Sequence, residues 1–130
     1  MIKFLFILIA ANVPVLYADT ECEKKTLSQV NYMRCLDQQL EQNKRDLTTW
    51  ENNHLFILET QVSTTGRQDG LKMFNKSRET FALYTEQDCR WQFIVQLPDN
   101  KKASTAYKEC QLYHLKQRID LLKHIATKPE

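Results

Sequence analysis

Glycine and proline are both scarce. The 130 residues contain two glycines and three prolines, so there are few places at which a helix is obliged to end. Charge of one sign is lacking too. Residues 1–18 carry Lys3 and no acid, and the remaining 17 basic residues face 16 acidic ones. A net charge of +1 leaves no electrostatic footprint for nucleic acid and none for an anionic membrane. No segment after Val15 is apolar enough to span a bilayer. Close cysteine or histidine pairs of the zinc-binding kind are missing as well. The cysteines stand 13, 54 and 21 residues apart, and His54, His114 and His124 are scattered. No Ser–His–Asp set, free Cys–His pair or paired carboxylates in a telling context occurs. These absences favour binding over catalysis, with no metal and no cofactor.

The N-terminus has the composition of a signal peptide. Lys3 is the only charge before Asp19, and Phe4 to Val15 form an apolar run. That length suits a signal h-region and is too short for a membrane span. Pro14 sits near its end, and Ala18 offers a small residue at the cut. Cys22 follows Asp19, Thr20 and Glu21, which lack the small apolar character of a lipoprotein signal. The expectation is therefore a signal peptide at 1–18 and one mature domain at 19–130, periplasmic or secreted, with no membrane span after cleavage. All four cysteines, Cys22, Cys35, Cys89 and Cys110, lie beyond the cut. An even count in a short exported chain reads as a disulfide framework.

Both glycines fall in the polar stretch 63–70, and Pro98 opens the turn signal Pro-Asp-Asn100. These breaks leave three segments. In the first, about 26–61, Leu27, Val30, Met33, Leu36 and Leu40 recur at helical steps, and Leu47, Trp50, Leu58 and Val62 continue the stripe. Thr26 or Ser28 is placed to cap it. Glu51-Asn-Asn-His54 is a weak patch where it is expected to bend or break. In the second, about 71–96, Leu71, Phe74, Phe81, Tyr84 and Trp91 share one face, while Trp91 to Leu97 has β-type composition. In the third, about 104–126, Leu112, Leu115, Ile119 and Leu122 form the stripe, capped by Ser104 or Thr105. The fold expected is all-α, a disulfide-stabilised three-helix antiparallel bundle, with the aromatic stripe Trp50, Phe74, Phe81, Tyr84 and Trp91 in its core.

An antiparallel turn near Asp99 and Asn100 sets Cys89 opposite Cys110, each about ten residues away, and leaves Cys22 to pair with Cys35. The rival pairing, Cys35 with Cys89 and Cys22 with Cys110, ties the first helix to the other two and stays open at this level.

Four elements resemble the LprI-type lysozyme-inhibitor N-terminal domain family, a group of small exported bacterial helical domains. Cys22-Glu-Lys-Lys-Thr26 through Asn31-Tyr-Met-Arg-Cys35 is similar to its opening cysteine pair. Leu47-Thr-Thr-Trp50 resembles its Leu-Asn-x-x-Tyr element. Arg78-Glu-Thr-Phe81, Tyr84-Thr-Glu86 and Cys89 resemble its Gln-x-x-Trp-x-x-Tyr-Arg-Asp-x-x-Cys element. Cys110 with Arg118, Ile119 and Leu122 resembles its closing Cys…Arg-x-x-x-Leu helix. Phe81 stands where Trp is usual, Arg78 for Gln and Thr85 for Arg, and the Cys22–Cys35 spacing is one residue longer than the family's. The resemblance implies an exported domain that inhibits lysozyme, with a lysozyme or other cell-wall hydrolase as its protein partner.

An inhibitor needs a rigid frame and a group that enters the target cleft. The polar loop supplies the candidates Arg67, Gln68 and Asp69. Arg67 is a cation suited to the paired carboxylates of a muramidase, although an ordinary solvated turn is the plainer reading. The near-neutral charge gives no long-range steering toward a basic lysozyme. Tyr107, Tyr113 and His114 on the third segment form a second candidate patch. Asp88 and Arg90 beside Cys89 read as a solvated charged face, and Glu109 with His114 near Cys110 is the nearest approach to a catalytic set.

Overall fold

The computed structural model describes residues 22–126; the signal-peptide expectation at 1–18 lies outside them. The described chain is all-helical: α1 (Gln29–Thr65), α2 (Asp69–Val95) and α3 (Asn100–Ala126). None of these helices is long and apolar enough to cross a membrane.

Each helix begins and ends for a local reason. Ser28 is the cap of α1, its hydroxyl accepting from the Asn31 amide at 3.3 Å. Gly66 ends α1 in the left-handed conformation (φ 71°), its N–H donating to the Val62 carbonyl at 2.8 Å. A side chain is strained there, which explains this glycine. Only residues 66–68 separate α1 from α2, so most of the expected loop 63–70 is helical. At the second break, the Asp99 carboxylate accepts from the Lys102 amide at 3.1 Å, and α3 starts at Asn100 rather than near Ser104. Thr105 lies inside α3, donating to the Lys101 carbonyl at 2.8 Å. The β-type stretch after Trp91 continues α2 as far as Val95.

The weak patch at 51–54 does not break α1. Two of its residues are buried and held from outside. Glu51 accepts from Arg78 Nε of α2 at 2.9 Å. His54 Nε2 lies 2.9 Å from the Leu122 carbonyl of α3; a carbonyl only accepts, so Nε2 carries the proton. The His54 ring also meets Phe74 at 5.8 Å. Tertiary partners override the poor propensity of the two asparagines between them.

The helices form a bundle in which α3 contacts both others extensively and α1 touches α2 less, through pairs such as Glu51 with Arg78 and His54 with Phe74. Contacts ascend together along α1 and α3: Gln29 with Thr105, Asp37 with Lys108, His54 with Leu122. Along α2 they descend as α3 ascends: Tyr107 with Glu86, Arg118 with Ser77. The apolar core is thin, made of Tyr32, Leu36 and Leu40 from α1, Ala103, Leu115, Ile119 and Leu122 from α3, and the Cys89–Cys110 pair. The aromatic stripe of α2 divides. Phe74 and Phe81 are half-buried, whereas Tyr84 and Trp91 are exposed. α3 covers only one side of α2, and the stripe is wider than that contact.

Cys22–Cys35 and Cys89–Cys110 are the disulfides, with Cα atoms 5.8 and 5.5 Å apart. The first folds residues 22–28 back along α1, where Lys24 reaches Glu109 at 3.1 Å and lies over the Tyr32 ring. The second joins α2 to α3. Each closes a short loop and constrains the unfolded chain by roughly 3 kcal/mol.

Candidate functional site: an aromatic cluster over the second disulfide

The most structured surface feature lies where α2 and α3 meet over Cys89–Cys110. Asp88 precedes Cys89 on α2, and His114 follows Cys110 by one turn on α3, so the crosslink sets them side by side. His114 Nε2 is 2.6 Å from Asp88 Oδ2. The other carboxylate oxygen accepts from Trp91 Nε1 at 3.0 Å. These two hydrogen bonds, the Trp91 one first, hold the Asp88 carboxyl below its ordinary range. The His114 side chain is only 13% exposed and that of Asp88 24%.

Two tyrosines meet the His114 ring edge to face, Tyr84 at 5.3 Å and Tyr113 at 5.6 Å. Tyr84, Trp91 and Tyr113 are 54, 55 and 62% exposed. Three large amphipathic rings therefore surround a nearly buried acid–imidazole pair, and the disulfide beneath fixes the two helices that carry them. Two residues before Asp88 on α2, Glu86 accepts from Tyr107 and pairs with Arg90. Those contacts, Tyr107 foremost, lower the Glu86 carboxyl, and the Glu86 carboxylate raises the Tyr107 phenol.

Chemically the cluster offers contact area, two hydrogen-bonding phenols and an indole. The sulfur beside the acid–imidazole pair, that of Cys110, is in a disulfide, as are all four cysteines. The two sulfurs of Cys89 and Cys110 and a ring nitrogen of His114 lie within 4.8 Å of one another. Among the described residues they are the donor set a metal would choose, and the sulfurs are spent on each other.

The residues singled out in the sequence fare unevenly. Asp88, Tyr113 and His114 are brought together, joined by Tyr84 and Trp91 from the expected core. Glu109 is on another face of α3: it accepts from Tyr32 at 2.6 Å and pairs with Lys24, far from the partner of His114. Arg90 stays on the solvated surface, as expected. Arg67 and Gln68 are exposed in the 66–68 turn, and Asp69, also exposed, is the first residue of α2. Their backbone is short and tied to helix ends, Arg67 N–H donating to Thr65 Oγ1 at 3.2 Å. One signal for the cluster is present in the sequence. Once Cys89 is paired with Cys110, residues one before the first and four after the second become neighbours.

No family model matches this chain, and no curated protein and no solved structure matches it.

Proposed function

We propose that this is an exported protein-binding domain, an antiparallel three-helix bundle released from a signal peptide at residues 1–18, whose contact face is the cluster of Tyr84, Trp91 and Tyr113. The observation that carries this reading is the exposure of three aromatic rings around a fixed acid–imidazole pair. Tyrosine and tryptophan dominate binding hot spots because they bury large areas with few rotatable bonds. Here they ride on helices locked by a disulfide, which lowers the ordering cost of binding. The motif resemblance supports an LprI-type domain and a cell-wall hydrolase, lysozyme in the first place, as the partner. The 66–68 turn is too short for deep insertion and lies roughly 23 Å along α2 from Tyr84 at the helical rise, so Arg67, Gln68 and Asp69 fall outside the aromatic face.

The test is inhibition of a lysozyme panel by oxidised residues 19–130, against a reduced and alkylated control. A Tyr84→Ser, Trp91→Ser, Tyr113→Ser triple variant and Arg67→Ala are run beside it. The expected result is inhibition by the oxidised form, at least tenfold weaker in the triple variant and within twofold of the parent in Arg67→Ala. Loss of inhibition in Arg67→Ala alone, with the fold intact, moves the contact face to the turn. A folded, disulfide-bonded protein that inhibits no lysozyme removes that partner, and pull-down from envelope extracts then identifies another.

A further inference from the structure

The cluster contains a second chemistry that depends on the oxidation state of its disulfide. Cys89 comes from the last third of α2, and Cys110 and His114 lie four residues apart on one face of α3, the spacing at which helical side chains converge on one ion. Their two sulfurs and a ring nitrogen are within 4.8 Å of one another. Ligands around tetrahedral zinc stand about 3.5–4 Å apart, from bonds of about 2.3 Å to sulfur and 2.0 Å to nitrogen. Small side-chain movements on opening the S–S bond reach that geometry without moving the helices.

The surroundings also suit an ion. Cys89 is fully buried and Cys110 nearly so, which gives a dry wall. Gln92 Nε2 is 3.3 Å from the Cys110 sulfur and donates toward it. The Asp88 carboxylate lies 3.9 Å from the same sulfur and 2.6 Å from His114, where it can take a fourth position or orient the imidazole.

We propose that reduction of Cys89–Cys110 converts this crosslink into a binding site for a soft divalent ion of the zinc class, held by Cys89, Cys110 and His114 with Asp88 beside the open position. Two electrons and two protons from a dithiol turn the cystine into two thiols while the dithiol becomes a disulfide. The ion then displaces both thiol protons and bonds to the two thiolates and the imidazole. Either way α2 stays tied to α3, by S–S in the oxidised protein and by S–metal–S in the reduced one. The widely spaced cysteines gave no hint of this, because the ligands meet only across the helix pair.

Cobalt(II) reports the site directly. Residues 19–130 with Cys22→Ala and Cys35→Ala are reduced by a phosphine and titrated anaerobically with Co2+, alongside the reduced parent chain in case the variant folds poorly. The expected result is one equivalent of Co2+ giving a thiolate-to-cobalt charge-transfer band and tetrahedral ligand-field bands, displaced by Zn2+. Helical circular dichroism should be retained, or recovered if reduction alone lowers it. His114→Ala should weaken binding about tenfold or more, and Asp88→Asn by about tenfold. The proposal is overturned by absence of the charge-transfer band, by unchanged affinity in His114→Ala, or by metal that binds without a helical fold.

Discussion

At the scale of single residues, two buried polar groups differ in how they are treated. The Thr85 hydroxyl is buried on α2 and has no hydrogen-bond partner, in contrast to Thr105, whose hydroxyl is bonded. A buried hydroxyl without a partner costs about 1–3 kcal/mol. Thr85→Val keeps the β-branched shape and should stabilise the domain by about 1 kcal/mol, raising the melting temperature by about 4 °C in thermal circular dichroism. The Tyr32 phenol is the opposite case. It donates to Glu109 at 2.6 Å, and burial, reinforced by that carboxylate, pushes its pKa from 10.0 up to about 12. Ionisation is disfavoured in the folded state, so the associated stability is complete below pH 10 and is lost as pH rises toward about 12. A spectrophotometric titration should show one phenolate forming about two units late, and Tyr32→Phe should abolish that step and flatten the alkaline loss of stability.

At the scale of helices, apolar periodicity reports which face is buried, and partner chemistry decides where a helix survives. The stripe Leu112, Leu115, Ile119 and Leu122 is legible because α3 is packed on two sides, and all but half-buried Leu112 are in the core. The stripe of α2 misleads because only part of it meets α3; Tyr84 and Trp91 repeat with helical spacing and still face outward. The disulfide pairing is largely legible, since an antiparallel turn fixes which cysteines approach. The acid–imidazole pair becomes legible only through that pairing. The continuity of α1 is not legible, because Glu51 and His54 depend on residues 27 and 68 positions away. Glu51 is nearly buried opposite Arg78, and removing the cation leaves its charge stranded. Arg78→Ala should cost about 2 kcal/mol, discounted because Arg78 is partly solvated. Glu51→Gln should cost less, and restoring stability with Glu51→Gln in the Arg78→Ala background would assign the loss to the stranded carboxylate. Chemical denaturation of the four proteins measures the cycle.

At the scale of the molecule, the lowered carboxylates are concentrated at one end. Asp88 and Glu86 bind α3-side or aromatic donors near the end of α2, and Asp99, lowered chiefly by the Lys102 amide, opens α3. A carboxyl whose folded pKa is depressed contributes stability that is present above the ordinary carboxylate range and is lost as pH falls through the depressed value. Acid should therefore loosen the α2–α3 turn end first, while His54 and the Leu115, Ile119 and Leu122 part of the core hold the other end. The Cys89–Cys110 bond crosses the loosening region, so opening is limited to the helix ends beyond it, residues 90–109, and Trp91 is the member of the aromatic cluster that should change first. Hydrogen exchange at descending pH should show protection falling in residues 90–102 before the region from Leu115 to Leu122. The melting-temperature gap between the parent and Asp88→Asn should be present at neutral pH and close below the ordinary carboxylate range. A gap independent of pH would mean that Asp88 contributes through packing, and simultaneous loss of protection along the whole chain would show that the bundle opens as one unit in acid.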